Sequence, residues 1–443
     1  MSETGGGWRG AAAALALVLG APLCAAAQNA APEGDLAVFQ RLRAEGLEAA
    51  GDGDIPRARD RLARADARLP NHAGLILLRA RTAHLDGDEQ DVLRQLGRYA
   101  AAGLTLDLGA DRHFSALTPG PDQAALAARL ADNARPVGQD RLTPLMRLDA
   151  PALIESVAFD PRRGRWLASS VHDRTIVAIT PGGAVSPYLA EDADVLGVLG
   201  LTLDAERDVL WAATAGLPQA RGLTPEQANA AELLKIDAGT GAVLARFSPP
   251  DDGDHAFGDV ALGPDGAVYV SDSLSGQVLR LPPGAETLQS LVPAGILGSP
   301  QGIVVAEDGT SLIVADYSSG LHRVSLTDGA VTRLSAPADA VLVGIDGLIP
   351  MNGGVLALQN GVQPHRVLRL TLSATQTAVT RVEVLAANLD DLNEPSTGLA
   401  LNGDLVFVSR TQWGAFDGEG QRRAQDPAPT VISRLTPNQG TRP

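Results

Sequence analysis

Residues 257–272 read FGDVALGPDGAVYVSD, two short apolar runs separated by a Pro-Asp-Gly turn. Asp-Gly and Asn-Gly pairs between such runs are strong hairpin signals, because Gly and Asn accept positive φ. The same arrangement occurs six times between residues 154 and 435, with turns at 160–164, 204–207, 264–266, 307–309, 351–353 and 401–403. The last residues of successive turns are 43, 59, 43, 44 and 50 positions apart. The chain therefore contains six similar units of about 45 residues.

A repeat of this length with about four strands per unit predicts a mainly β fold, a six-bladed β-propeller over residues 143–436. The sixth unit, 396–435, supplies only three obvious strands, whereas 144–148 is a strand with no neighbour in sequence. We therefore expect this N-terminal strand to complete the last blade, which would close the ring and remove its open edges. Residues 437–443 are predicted to be a C-terminal tail.

Residues 35–117 are predicted to form a small α-helical unit. The pairs Gly53-Asp54 and Gly87-Asp88 are 34 residues apart, and each Asp is expected to cap the start of a helix. A 34-residue helical hairpin resembles the tetratricopeptide repeat, here in about two copies. Since two repeats are few for a free-standing solenoid, we expect the unit to pack on the propeller, and binding of a protein partner is the alternative. Residues 118–142 are predicted to be a linker with a short helix at 124–134.

The N-terminal residues 1–27 resemble a secretory signal peptide, with Arg9, an apolar run at 11–23 and small residues before Gln28. We therefore expect a secreted or periplasmic protein with no membrane span in the mature chain; an uncleaved anchor is the alternative. Cys24, the only cysteine, lies in this segment, so a cleaved chain would lack thiol catalysis, disulfides and thiolate ligands. The net charge of -16 argues against a nucleic-acid partner.

Polar residues are expected to converge on one face of the propeller, near its axis. In an antiparallel blade, the start of the first strand and the link from the second to the third strand lie on the same face. First-strand starts contain Glu155, Asp259, Gln301 and Asp346, and the links contain His172, Gln359 and Arg410. The longest link, 214–230, is predicted to be an insertion that covers or shapes a pocket.

Carboxylates that converge in a poorly solvated channel need compensation, because unpaired like charges there are costly. A divalent cation with oxygen ligands is the simplest solution, and Ca²⁺ or Mg²⁺ would suit Glu155, Asp259 and Asp346 with Gln301 as a neutral oxygen donor. Arginine partners or water are the alternatives that the sequence leaves open.

Several motifs resemble the regucalcin/gluconolactonase family of six-bladed propellers. They are the run 155–160 (ESVAFD), the run 257–272 quoted above, Pro300-Gln301-Gly302 leading to Tyr317, and Asp346-Gly347-Leu348. The resemblance covers residues 151–416 and implies one axial divalent metal (Ca²⁺, Mg²⁺, Mn²⁺ or Zn²⁺). Its ligands would be Glu155, Gln301 and Asp346, with Asp346 as the catalytic base for opening a lactone. If this chemistry is kept, Asp259, His172, Gln359 and Arg410 on the same face would contact substrate, and for His172, Gln359 and Arg410 a solvated loop position is the alternative.

The chain departs from the family pattern at two positions. Gln301 stands where an Asn-Gly pair is expected, and Gly258 stands where an Asn-Asp pair is expected. Two functions therefore remain open: a metal-dependent hydrolase of a small lactone or ester, and a non-catalytic propeller that binds a small ligand or a protein on the same face. Condensation chemistry of the strictosidine-synthase type would need an aromatic-lined pocket, which the sequence does not indicate.

Overall fold

The structure, a computed structural model, describes residues 34–190, 192–423 and 428–437. The predicted signal segment and residues 438–443 of the predicted tail lie outside the described residues. Within the described part of the chain, no helix has both the length and the apolar character needed to cross a membrane.

In the part of the chain that the structure describes, five α-helices precede the propeller. They are α1 (Asp35–Gly51), α2 (Ile55–Arg68), α3 (Ala73–Leu85), α4 (Glu89–Ala101) and α5 (Pro121–Asn133). The predicted caps are confirmed, since the Asp54 side chain accepts a hydrogen bond from Arg57 N and the Asp88 side chain accepts one from Asp91 N. Helices α1 and α2 pack together, as do α3 and α4. The likeness to tetratricopeptide repeats stays a prediction. The predicted linker contains α5, a helix of 13 residues that begins earlier than expected.

Six four-stranded antiparallel sheets follow, so the predicted six-bladed propeller is confirmed. Each of the first five blades is formed by four consecutive strands. The first blade contains β2 (Ile154–Asp160), β3 (Arg165–Ser170), β4 (Thr175–Ile179) and β5 (Val185–Pro187), and the second contains β6 (Gly197–Asp204), β7 (Val209–Ala215), β8 (Ala231–Asp237) and β9 (Val243–Phe247). The third contains β10 (Phe257–Leu262), β11 (Val268–Asp272), β12 (Gln277–Leu281) and β13 (Gln289–Val292), the fourth contains β14 (Pro300–Val305), β15 (Ser311–Asp316), β16 (Gly320–Ser325) and β17 (Val331–Arg333), and the fifth contains β18 (Ile345–Met351), β19 (Gly354–Gln359), β20 (Arg366–Leu372) and β21 (Val379–Ala387).

The sixth blade joins the two ends of the propeller. It contains β22 (Gly398–Leu401), β23 (Asp404–Arg410), β24 (Thr430–Leu435) and, as its outer strand, β1 (Leu142–Leu148). Strand β1 pairs with β24 from Leu142 opposite Leu435 to Leu148 opposite Thr430. The predicted ring closure is therefore confirmed, and it leaves no blade with an incomplete sheet.

The hydrophobic core of the propeller is divided among the spaces between neighbouring blades. Six buried clusters each combine residues of two adjacent blades, and Leu210 with Leu167 is one such combination between the first two blades. The second strand of each blade is buried on both faces, and every residue of β7, β11, β15 and β19 is buried. This explains why these strands read as continuous apolar runs rather than as alternating ones.

The helical unit packs on the propeller. Ile76, Tyr99 and Leu104 share a buried cluster with Val341 and Val362, which belong to propeller loops. The prediction that this unit packs on the propeller is thus confirmed, while a protein partner for it stays a prediction.

Candidate functional site

The first strands of the six blades surround the axis of the propeller, each in contact with the next. In five of the six first strands, a register shift interrupts the pairing with the second strand. The shifts fall between the paired residues Ile154/Val157, Val198/Leu201, Phe257/Val260, Pro300/Ile303 and Ile345/Gly347. Glu155, Asp259, Gln301 and Asp346 all lie inside these intervals. A β-bulge redirects a side chain out of the regular alternation, so the irregularities explain how polar residues come to face the axis.

Glycines next to these residues allow the first strands to approach closely. A Cβ atom on Gly302 would lie 2.6 Å from the carbonyl oxygen of Asp346, and one on Gly200 would lie 2.6 Å from the carbonyl oxygen of Gly258. No side chain fits at such distances, so the Gln-Gly and Leu-Gly pairs are needed for the narrow ring of strands.

A cavity of about 120 Å³ opens at this end of the axis, and we call it the axial pocket. The three predicted metal ligands, Glu155, Gln301 and Asp346, all line it. Glu394 lines it as well, in the segment that leads into β22. Its walls include residues from all six blades, so the pocket exists only in the closed ring.

The carboxyl groups in and beside this pocket have raised pKa values. Burial, followed by the charge of Asp346, raises the pKa of Glu155 well above its usual range. Burial raises the pKa of Asp346 to about 6, although a hydrogen bond from Asn360 lowers it. Burial also raises the pKa of Asp259 to about 7 and raises that of Glu394. Asp259 and Asp346 keep part of their surface open to the channel but are enclosed by strands, so their ionised forms are poorly solvated.

Glu155 and Asp346, the two carboxylates among the predicted metal ligands, each accept a hydrogen bond from a neutral side chain. Trp413 Nε1 donates to Glu155 Oε2 at 2.7 Å, and Asn360 Nδ2 donates to Asp346 Oδ2 at 2.6 Å. The hydroxyl of Tyr317 donates to Asn360 Oδ1 at 3.0 Å, which fixes the orientation of the amide. Tyr317, Asn360 and Asp346 thus form a continuous hydrogen-bonded row.

Two loops meet over the pocket. The insertion loop, residues 216–230, contributes Leu217 and Gln219, and the last-blade loop, residues 411–423, contributes Trp413 and Phe416. Gln219 Nε2 donates to the carbonyl oxygen of Asp417 at 3.1 Å and joins the two loops. The predicted insertion therefore lies at the pocket.

The four residues predicted to contact substrate are placed less centrally. Asp259 faces the axis but is held by the backbone N–H groups of Val260 and Ile303, and it does not line the pocket. His172 lies behind the loops, with Nδ1 2.6 Å from the carbonyl oxygen of Gln219 and its ring 5.0 Å from that of Phe416.

Gln359 and Arg410 are not brought to the pocket. Gln359 is fully buried, and its amide bonds to the carbonyl oxygens of Val341 and Val343 and to Arg366. Arg410 lies beside Asp391, with 3.6 Å between the charged groups, in a neighbouring cavity. Both positions are explained by side-chain direction, because neighbouring residues of a strand point to opposite faces.

Asn360 and Glu394 are functional candidates that the sequence prediction missed. Asn360 directly follows the predicted Gln359, and as the first residue beyond β19 it is the one that lines the pocket. The sequence does not indicate an aromatic-lined pocket, but Tyr317, Trp413 and Phe416 line the axial pocket.

The residues present fit a divalent cation. Two carboxylates and an amide oxygen are hard oxygen donors. Gln301 Nε2 donates to Ser299 Oγ at 3.1 Å, and its Oε1 lies 3.4 Å from the position of a Cβ on Gly258. The longer Gln301 side chain therefore extends into space that a side chain at position 258 would use, so the two departures from the family pattern are adjacent in space. Within the described ranges, no group of three Asp, Glu, His or Cys residues is arranged to hold a metal, so a cation at this position would also require the amide oxygen of Gln301.

No family model and no curated protein matches the chain. Solved structures with a similar fold include a gluconolactonase from Xanthomonas campestris, 17% identical, covering 71% of this chain and 93% of that one with a TM-score of 0.46. A PQQ-bound aldose sugar dehydrogenase from Streptomyces coelicolor is 15% identical and covers 66% and 97%, with a TM-score of 0.46. Virginiamycin B lyase from Staphylococcus aureus is 14% identical and covers 67% and 99%, with a TM-score of 0.45.

Proposed function

We propose that the chain is a divalent-metal-dependent hydrolase that opens a small lactone or ester at the axial pocket. The observation that supports this most strongly is the convergence of Glu155, Gln301 and Asp346, three oxygen donors from different blades, on one small cavity. Raised carboxyl pKa values in a pocket are typical of functional sites, since burial of this kind costs stability.

The proposed reaction adds water to the acyl carbon and breaks the acyl C–O bond. Glu155, Gln301 and Asp346 would hold the metal ion, which when bound polarises the substrate carbonyl. Asp346 would take a proton from the attacking water as the general base. Glu394, whose pKa is raised by burial, is the candidate acid that protonates the leaving oxygen. The product is a hydroxy acid, or an acid and an alcohol.

The test is metal content after chelation and refilling. The hypothesis expects one Ca²⁺, Mg²⁺, Mn²⁺ or Zn²⁺ per chain in the wild-type protein and none in Glu155→Gln. The matched control is Glu286→Gln, which changes an exposed glutamate outside the pocket and should keep the metal. Absence of metal uptake, with thermal melting unchanged by chelator, would remove this mechanism.

A non-catalytic binding propeller is the second candidate. It is favoured by the hydrogen bonds from Trp413 and Asn360, which satisfy Glu155 and Asp346 in part without an ion. Ester hydrolysis that is lost in Asp346→Asn would exclude it, whereas metal binding alone would not, because a bound cation can be structural.

Export of the protein is a separate proposal that rests on residues 1–27. Recovery from the periplasm or medium of a chain that begins at Gln28 would support it. Retention of the intact N-terminus in the membrane fraction would favour the anchor instead.

A further inference from the structure

We infer that the axial pocket selects a compact apolar lactone or ester and disfavours polyhydroxylated sugar lactones. This inference rests on the function proposed above and concerns the part of the substrate that surrounds the reacting carbonyl. Three properties of the pocket support it: its small volume, the apolar side chains in its walls, and the acceptors that its hydrogen-bond donors already have within the protein.

The size limits the buried part of the substrate. The cavity measures about 120 Å³. An apolar protein cavity of ~150 Å³ accepts one benzene molecule. A five- or six-membered lactone with at most a short substituent therefore fills the axial pocket, and larger acyl groups have to project between the two loops.

The walls around the carboxylates are largely apolar. Leu199 and Ala256 come from the starts of the second and third blades, Leu217 from the insertion loop, and Phe416 from the last-blade loop. Because these residues come from four separate segments, they enclose a ligand from several sides rather than along one edge. Hydroxyl groups directed at them would lose their water without gaining a partner.

The neutral side-chain donors at the pocket already have acceptors within the protein. Tyr317 donates to Asn360, and Asn360 in turn donates to Asp346 and to the carbonyl oxygen of Pro395. Trp413 donates to Glu155, and Ser273 Oγ donates to the carbonyl oxygen of Ala256 at 3.2 Å.

The remaining charged residues of the pocket cannot supply hydrogen-bond partners on all sides of a bound sugar ring. Apart from Glu155, Asp346 and Glu394, which the proposed reaction uses, the charged residues that line the pocket are Asp417 and Arg423, and both belong to the last-blade loop. A pair confined to one segment can match a single polar substituent. Hydroxyls distributed around a sugar ring need partners on several sides, and an apolar wall that faces an added hydroxyl lowers kcat/KM by up to about 100-fold.

The experiment compares three substrates and two non-reacting ligands. Hydrolysis of δ-valerolactone, phenyl acetate and glucono-1,5-lactone is followed by proton release with the metal-loaded protein. Binding of cyclohexanone and of myo-inositol, which cannot be hydrolysed, is measured separately by calorimetry. We expect kcat/KM for the two apolar substrates to exceed that for the sugar lactone at least tenfold, and cyclohexanone to bind at least tenfold more tightly than myo-inositol.

A polar substitution in the pocket wall tests whether the preference for apolar substrates depends on the apolar side chains there. Leu217→Asn should reduce the preference for apolar substrates severalfold, whereas Leu244→Asn, at an exposed position of β9, should leave it unchanged. A sugar lactone that is hydrolysed as well as δ-valerolactone would overturn the inference while leaving the hydrolase intact. If no ester is hydrolysed, only the proposed function has failed, and the two non-reacting ligands decide the inference: equal or tighter binding of myo-inositol overturns it.

Discussion

Asp346 is held in an environment that favours its protonated form. Burial raises its pKa from the usual value near 3.8 to about 6, despite the hydrogen bond from Asn360. The folded protein therefore binds this proton more tightly than the unfolded chain. Its contribution to stability is fully present below pH 3.8 and is lost as the pH rises through 6, so ionisation at neutral pH destabilises the metal-free fold.

In the presence of chelator, we expect Asp346→Asn to abolish the loss of stability that ionisation of Asp346 causes. Relative to wild type, the variant should gain up to about 3 kcal/mol in the free energy of unfolding between pH 4 and pH 8, since one pKa unit corresponds to about 1.4 kcal/mol. Urea unfolding at both pH values measures this. Asp308→Asn is the control. Burial opposes ionisation of Asp308, but hydrogen bonds from Arg323, Thr310 and Ser311 outweigh it and lower the pKa to about 2, so the pH dependence that Asp308 contributes lies mainly below pH 4 and this variant should change little between pH 4 and pH 8 relative to wild type.

Tyr317 orients the amide that contacts Asp346, so we assign it a positioning role. Tyr317→Phe removes one hydroxyl and leaves Asn360 Oδ1 without this donor. Loss of such a supporting contact typically weakens metal affinity about 10- to 100-fold. Titration of the chelated protein with metal measures the effect independently of activity. Tyr188→Phe removes a hydroxyl that donates to the carbonyl oxygen of Asp237, in a residue that does not line the pocket, and should leave metal affinity unchanged.

At the scale of elements, the two loops over the pocket constrain each other. Gly420 has a φ of 77°, and a Cβ on it would lie 1.9 Å from the carbonyl oxygen of Pro218. Gly403 has a similar φ of 86°, but no atom lies within 4 Å of the position of its Cβ. The two glycines therefore share one backbone conformation and differ in whether a side chain would separate the loops.

Gly420→Ala should open the mouth of the pocket, and Gly403→Ala should not. Arg221 in the insertion loop is 67% exposed at its side chain, which makes it a site for trypsin. We expect faster cleavage after Arg221 in Gly420→Ala than in Gly403→Ala, because the insertion loop loses its contact with the last-blade loop. Equal cleavage rates in the two variants would show that the loops do not depend on each other.

The elements also show how far sequence reasoning extends. The turns at 264–266 and 401–403 predict the blades because Gly and Asn accept the positive φ that a tight turn needs, which depends on local sequence alone. Gln359 was placed at the axis in place of Asn360, because the end of β19 is set by pairing across the sheet. The hydrogen bond from Trp413 to Glu155 joins residues 258 positions apart, and no local pattern indicates it.

At the scale of the whole molecule, Arg366 connects the helical unit to the propeller. It is 2% exposed, and its Nη1 donates to the carbonyl oxygen of Ala102 at the end of α4 at 2.9 Å. Its Nε donates to Gln359 Oε1 at 2.6 Å. Burial lowers the pKa of Arg366 to about 10, so it remains charged at neutral pH, and a positive charge at the C-terminal end of a helix is favourable.

Since the helices and the propeller share a buried cluster and this arginine, we expect wild type to unfold in one calorimetric transition. Arg366→Leu leaves the buried Gln359 Oε1 and the partly buried carbonyl oxygen of Ala102 without this donor, and an unsatisfied buried acceptor costs about 1–3 kcal/mol. The helical unit should then melt before the propeller, as a separate transition. Arg280→Leu removes a half-exposed pair with Asp265 and should keep a single transition, because surface ion pairs contribute at most about 1 kcal/mol. A single unshifted transition in Arg366→Leu would mean that apolar packing of Ile76, Tyr99 and Leu104 is sufficient to couple the two parts.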